Sequence, residues 1–357
     1  MVREQLFSEY FRKRNQRRTA VVFEAGPTHD GLNMAKKLVD IAAGAGADAV
    51  KFQTLDAVRL VPSRDTMFTY DYLADKTTGR TETVTESLQE ILLRRSLTMD
   101  EWSTLIRYCR ERGVAFFSTA STVEEMRFLH GEGCSCVKIA SGDINYHWLL
   151  RQAARYDWIV QIDTGSATIA EVEQAVDVLE SAGTDRIIIN HCPSGYPARL
   201  ETINLRVLTT LRQMFPYPVA FSDHSPGSEM DIAAVALGAD LVEKTITLDR
   251  SIRSPEHIMS LEPDEADAFV RTIRNVEAAL GSPRRRMTEG ERQTYMVARR
   301  SIVAGRDIAE GEILAQEAVE YARPGDGLAP DLDWLVLGKA ACRRISRGEK
   351  ILPGDVR

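Results

Sequence analysis

Residues 114–141 read VAFFSTASTVEEMRFLHGEGCSCVKIAS, and this stretch carries the pattern that decides the fold. Its β-branched and aromatic opening, 114–119, predicts a strand. A turn follows, and Ser121 with Glu124 has the spacing of a capping box, in which a hydroxyl and a carboxylate accept from the free amides of a helix start. Residues 136–141 predict the next strand. Outward in both directions the same unit recurs, with runs at 21–26, 47–53, 158–164, 186–192, 218–224 and 240–246. Between them Met34, Leu38, Ile41 and Ala45 share one helical face, and Ile169, Val172, Val176 and Leu179 another. Thr168 with Glu171 repeats the capping box. Strands alternating with helices in this number predict an α/β fold, a closed (β/α)8 TIM barrel over residues 21–281.

Residues 1–20 form a leader with basic positions at Arg12, Lys13, Arg14, Arg17 and Arg18, and no apolar segment with a cleavage site follows them. The expectation is a cytoplasmic protein. The formal charge of -7 argues against a nucleic-acid partner, and no apolar run approaches a membrane span. Five scattered cysteines suit a reducing compartment; Cys134 and Cys136 alternate into a strand and lack a zinc spacing. Residues 54–83, after the second strand, are long, polar and without clear periodicity, so they should overhang the active face. Residues 282–300 are basic and polar and predict a linker, and 301–357, with turns at Gly311, Gly325, Gly327, Gly338 and Gly348, predict a small β-rich domain.

Functional groups of such barrels sit at the C-terminal strand ends. Here the strands end in Glu24, Lys51 with Gln53, Ser118 with Thr119, Lys138 with Ser141, Asp163 with Thr164, Asn190 with His191, Ser222 with Asp223 and His224, and Glu243 with Lys244. Any one of these alone reads more simply as a capped turn or an ion pair; together they favour a site. Lys51 and Lys138 lie inside apolar runs, where an ammonium is costly unless it meets an anion. With the hydroxyls of Thr119, Ser141 and Ser222 they would cradle a small phosphorylated carboxylate. The competing reading is internal pairing with Glu24, Asp163 or Glu243. His224 could bind a metal or move protons.

The motifs Glu24-Ala-Gly-Pro-Thr-His-Asp-Gly31, Gly46-Ala-Asp-Ala-Val-Lys-Phe-Gln53, Val137-Lys-Ile-Ala-Ser-Gly142, Asn190-His-Cys-Pro-Ser-Gly-Tyr-Pro197, Phe221-Ser-Asp-His224 and Val242-Glu-Lys244 resemble those of the sialic acid synthase family. Arg299-Arg-Ser-Ile-Val-Ala304 and Tyr321-Ala-Arg-Pro-Gly325 resemble its antifreeze-like (SAF) C-terminal domain. The resemblance implies condensation of phosphoenolpyruvate with a metal-polarised amino-sugar aldehyde to give a nine-carbon 2-keto acid. It implies that Lys51, Lys138, Thr119, Ser141 and Ser222 hold phosphoenolpyruvate, that Glu24 orients sugar or water, and that Gln53, Asp143 and Tyr196 face the sugar. It also implies a domain-swapped homodimer in which Arg323 reaches the acyl group, and a divalent metal, Mn2+ or Mg2+.

The sequence departs from that family at Thr28-His-Asp-Gly31, at Asp163 where a Ser is common, and at Thr245 in place of a His that would join His224 on the metal. His257, in the loop after the eighth strand, is the candidate replacement ligand; a packing role for it is equally open. Two other readings stand beside the synthase: a barrel aldolase using a Schiff base on Lys51 or Lys138, and a lapsed sugar-phosphate binding protein.

Overall fold

The structure, a computed structural model, describes residues 18–357; the basic positions Arg12, Lys13, Arg14 and Arg17 of the leader lie outside the described residues. The chain divides into two compact units, 1–281 and 282–357.

In the first unit β1 (Ala20–Glu24), β2 (Ala49–Gln53), β5 (Ala115–Thr119), β6 (Cys136–Ile139), β7 (Ile159–Asp163), β8 (Ile187–His191), β9 (Val219–Asp223) and β10 (Leu241–Thr245) form a closed barrel. Every pairing is parallel and β1 joins both β2 and β10. The outer face of the strands packs on helices such as Leu32–Gly44, Met99–Glu111, Ile169–Ser181 and Pro263–Leu280. Thr168 and Glu171 form the expected capping box. The box predicted at Ser121 and Glu124 is formed one residue later, by Thr122 and Glu125, while Ser121 also donates its backbone N–H to Glu125. Hydroxyls at 121 and 122 precede carboxylates at 124 and 125, so the sequence fits both registers.

The barrel interior is layered. Ala20, Val22, Ala49, Ala115, Phe117, Cys136, Ile159, Ile188, Ala220 and Leu241 form an apolar plug, separate from the outer core. Side chains two residues apart share a face of a strand. One step past the plug, each strand therefore presents its next inward side chain: Glu24, Lys51, Thr119, Lys138, Gln161, Asn190, Ser222 and Glu243. All eight are polar and all are buried.

Residues 54–83 are not the structureless loop that their composition predicts. After a short helix (Ala57–Leu60) come β3 (Met67–Asp75) and β4 (Arg80–Ser87), an antiparallel hairpin, then a helix Leu88–Arg94. Asp75 accepts from the Thr77 backbone N–H and the Thr78 hydroxyl, each at 2.8 Å, which folds the turn, and Gly79 takes the positive φ of 71°. One face of β3 carries Phe68, Tyr70 and Tyr72, with Tyr70 buried and paired with Val84, while the other cross-strand pairs are polar, Thr69 with Thr85 and Tyr72 with Glu82 among them, so the short aromatic alternation is set among polar residues. Lys76 ties the hairpin tip to Asp249 at 3.1 Å and to Glu262.

In the second unit the segment expected as a linker, 282–300, contains a helix, Glu289–Ala298, opened by a Thr288–Glu291 capping box. Beyond them β11 (Ser301–Ala304) and β12 (Val319–Ala322) pair antiparallel, with single bridges such as Ile308 to Ile345 and Ala341 to Val356. Ile302, Ile308, Leu314, Val336, Ile345 and Ile351 lie at the centre of its own core.

Candidate active site

A cavity of about 400 Å³ opens on the strand ends of the barrel. Glu24, Lys51, Gln53, Thr119, Lys138, Ser141, Asp143, Tyr196 and His224, all expected from sequence, line it. Asp163, Glu243, Arg95 and Glu256 line it as well, as do Leu55, Leu60, Val61, Leu88 and Leu92.

The floor is a charge network. Lys51 is ion-paired with Glu24 and lies 3.2 Å from Glu243 and 3.5 Å from the Thr119 hydroxyl. Lys138 meets Glu243 at 2.6 Å, Asp163 at 2.9 Å and the Ser222 hydroxyl at 3.4 Å. Both ammoniums are almost fully buried, and the internal pairing weighed from sequence is present. Burial favours a neutral Lys138, but the carboxylates of Asp163 and Glu243 outweigh it and hold the amine's pKa well above its ordinary value. For Glu243, burial pushes the carboxyl up, and the Lys138 and Lys51 ammoniums with their hydrogen bonds bring it down to about 2.

Backbone and second-layer groups fix this network. Glu24 accepts from the Gly26 N–H at 2.7 Å, and a β-carbon on Gly26 would stand 2.8 Å from that carboxylate oxygen and 2.7 Å from Gln53. Asp163 accepts from the Asn190 amide at 2.8 Å, and Asn190 accepts from Gln161 at 2.8 Å. Ser222 does not line the cavity; it donates to Glu243 at 3.0 Å and so braces the pair from behind. Ser118, another strand-end hydroxyl, accepts from the Thr54 N–H at 2.8 Å and is used structurally. Lys244, next to Glu243, faces the opposite side of β10 and pairs with Asp223 and Asp231.

His224 reaches the cavity with its Nδ1 engaged by the Pro193 carbonyl at 3.0 Å and its ring 4.7 Å from that of Tyr196. Burial holds its imidazole below the ordinary pKa. His257 is not among the lining residues; its Nδ1 shares a 2.7 Å hydrogen bond with the Thr247 hydroxyl. Its chain neighbour Glu256 takes the place at the cavity. Among the described residues no group of three or more His, Cys, Asp or Glu side chains is placed to hold a metal ion. A divalent ion at His224 would have to complete its coordination with water or substrate oxygens. Arg323 belongs to the second unit, where it is exposed.

Sequence reasoning missed Arg95 and Glu256. Glu256 sat beside the histidine that drew attention, and Arg95 follows a helix whose apolar face becomes visible only once the hairpin before it is recognised. Burial raises the Glu256 carboxyl to about 7, against the pull of Arg95, and burial likewise raises Asp143.

A barrel whose strand ends converge two lysines, three carboxylates and several hydroxyls on one cavity has an enzyme-type polar site at the catalytic end of a TIM barrel. The NeuB family matches residues 38–285 and the SAF domain residues 299–357, so the chain belongs to the NeuB family and carries a SAF domain at its C-terminal end. It is 33% identical over 338 residues to the N,N'-diacetyllegionaminic acid synthase of Campylobacter jejuni, covering 94% of this chain and 99% of that protein. The human N-acetylneuraminate-9-phosphate synthase is 31% identical over 340 residues, covering 93% and 91%. Among solved structures, the spore coat polysaccharide biosynthesis protein SpsE of Bacillus subtilis superposes with a TM-score of 0.62 at 33% identity, covering 95% of each chain.

Proposed function

We propose that this chain is a nonulosonic acid synthase, condensing phosphoenolpyruvate with an N-acyl amino-sugar aldehyde to a nine-carbon 2-keto-3-deoxy acid and phosphate. The paired lysines of the cavity floor carry the reading, together with the synthases to which the chain is similar. In the reaction, carbon 3 of phosphoenolpyruvate bonds to the aldehyde carbon, whose oxygen takes a proton. Water adds at carbon 2, and the bond from carbon 2 to the phosphate oxygen breaks, leaving the ketone and inorganic phosphate.

Lys51 and Lys138, with Thr119 and Ser141, would hold the carboxylate and phosphate and stabilise the charge of the departing phosphate. Glu24, fixed by the Gly26 N–H, would position the incoming water or aldehyde. Gln53, Asp143 and Tyr196 would face the acceptor. A Schiff-base aldolase on Lys138 needs that amine neutral, and Asp163 at 2.9 Å with Glu243 at 2.6 Å favour its charged form. Phosphate release from bridge-labelled phosphoenolpyruvate tests the proposal: acceptor-dependent release with the label in phosphate supports it. A lysine adduct trapped by borohydride with a keto acid would replace it with the aldolase, and binding without turnover with the lapsed binding protein.

Metal dependence, homodimer formation, a role for Arg323 at the acceptor and a cytoplasmic location belong to the same proposal. The buried free thiols of Cys109, Cys134, Cys136 and Cys192 favour a reducing compartment. Manganese titration is expected to separate the two histidines, with His224→Ala weakening binding and His257→Ala leaving it unchanged. Arg323→Ala is expected to raise the acceptor KM, and sedimentation would test the dimer.

A further inference from the structure

Behind the cavity, on the outer side of β9 and β10, lies a second buried charge cluster that the floor does not use. Lys244, Asp223 and Asp231 are all almost fully buried there. The Lys244 ammonium donates to the Asp223 carboxylate and to the Ser225 backbone carbonyl, and Asp231, in the helix Glu229–Ala236, stands 3.5 Å from it. Asp223 also accepts from the Ser225 backbone N–H at 2.9 Å and from the Ser225 hydroxyl at 2.8 Å. Residues 223 and 225 are therefore tied twice, once directly and once through Lys244.

The residue between them is His224. Side chains of neighbouring strand residues leave on opposite faces, so Asp223 turns back to Lys244 while His224 turns to the cavity, the one histidine among the described residues to line it. With its Nδ1–H given to the Pro193 carbonyl at 3.0 Å, the ring presents Nε2 as its free lone pair. That tautomer persists only while the backbone keeps the ring against Pro193. β9 ends at Asp223 and the next helix starts at Glu229, so no regular element holds residue 224; the Ala198 N–H, 2.8 Å from the His224 carbonyl, and the two ties across 223 and 225 hold it instead. We propose that Lys244 is a positioning residue for His224, its ammonium fastening the turn that carries the imidazole into the cavity. The proposal rests on the synthase reading for what the imidazole does, but not for where the imidazole is held.

Lys244→Met alone would leave a carboxylate buried without its cation, and could unfold the chain for that reason only. The test therefore uses Lys244→Met together with Asp223→Asn, which removes the charge pair as a whole. The asparagine oxygen can still accept from Ser225, so the direct tie remains and only the Lys244 tie is lost. Burial, with Asp223 beside it, holds the Asp231 carboxyl well above its ordinary pKa, so Asp231 adds no stranded anion to this variant. Thermal unfolding should show a folded protein. With selectively labelled histidine, the His224 ring N–H, assigned by its loss in His224→Ala, should exchange with solvent at least about tenfold faster in the double variant than in the parent. Turnover supplies the coupling: His224→Ala should lower kcat for phosphate release by roughly tenfold or more in the parent but by less than about threefold in the double variant, because its role is already lost there. The KM for phosphoenolpyruvate should stay within about twofold. An unaltered ring signal, or equal losses from His224→Ala in the two backgrounds, would overturn the positioning role and leave Lys244 a structural tie. Absence of phosphate release from the parent with every acceptor would instead remove the synthase reading, with the ring signal still reporting on Lys244.

Discussion

The floor and the wall of the cavity are made by different physical means. The floor comes from eight strand ends locked in parallel register, where each inward position follows from the one two residues before it. The wall comes mainly from the single connection between β2 and β5, whose two short helices contribute Leu60, Leu88 and Leu92. Floor groups are almost fully buried and paired to one another, whereas Leu60 remains 42% exposed and Arg95 keeps an unpartnered nitrogen. Groups that must hold developing charge gain from rigid mounting, because their dipoles need no reorganisation during reaction. Groups that choose between substrates can sit on an added segment, where substitution leaves the barrel undisturbed.

The largest effect should come from breaking the floor. Lys138→Met leaves Asp163 and Glu243 buried with less compensating charge, so stability should fall by about 3–5 kcal/mol and turnover by about a thousandfold. Urea unfolding and phosphate release would measure the two. A loss of activity with unaltered stability would mean that the floor is less tightly paired than the distances imply.

Acid should find the same network. Glu243 titrates near 2 in the folded chain, below its unfolded value of about 4.3, so its contribution is fully present above the unfolded value and is lost as pH falls through about 2. Its size is on the order of 3 kcal/mol. Unfolding midpoints taken between neutral pH and pH 2 should decline over that window, and Glu243→Gln should flatten the decline.

A smaller change sharpens the account of the floor. Asp163 occupies Lys138 before any anion arrives, so Asp163→Asn should tighten phosphoenolpyruvate binding by roughly three- to tenfold, while its amide oxygen still accepts from Asn190. Weaker binding would show that the carboxylate assists the ligand instead of competing with it. The smallest effect belongs to the wall: Leu60→Ser should shift stability by less than about 0.5 kcal/mol and raise only the acceptor KM, by roughly two- to fivefold. An equal change in the KM for phosphoenolpyruvate would erase the distinction between the two regions.

This same division governs what the sequence reveals. Each barrel strand lies within a few residues of its predicted run, because a plug residue such as Val22 or Ala49 followed two positions later by Glu24 or Lys51 is a period-two signal that local sequence contains. The competing reading of Lys51 and Lys138 as internally paired needed the fold, since their carboxylate partners lie as far along the chain as Glu243. Arg95 and Glu256 carry no local signal at all; they meet only after the chain has closed the barrel. The hairpin is hard to read from sequence because its one buried ring, Tyr70, lies among polar pairs such as Thr83 with Asp71 and Tyr72 with Glu82 on exposed faces.

That hairpin has a history written into its construction. β3 and β4 pair only with each other, along a ladder from Met67 with Ser87 to Asp75 with Arg80 that shifts register between Leu73 and Asp75, and neither joins the barrel sheet. A segment closed on itself in this way behaves as a cassette: lineages can lengthen, shorten or replace it without reopening the ancestral scaffold. Divergence among relatives is then expected to concentrate between Gln53 and Ala115, while the barrel beneath stays intact.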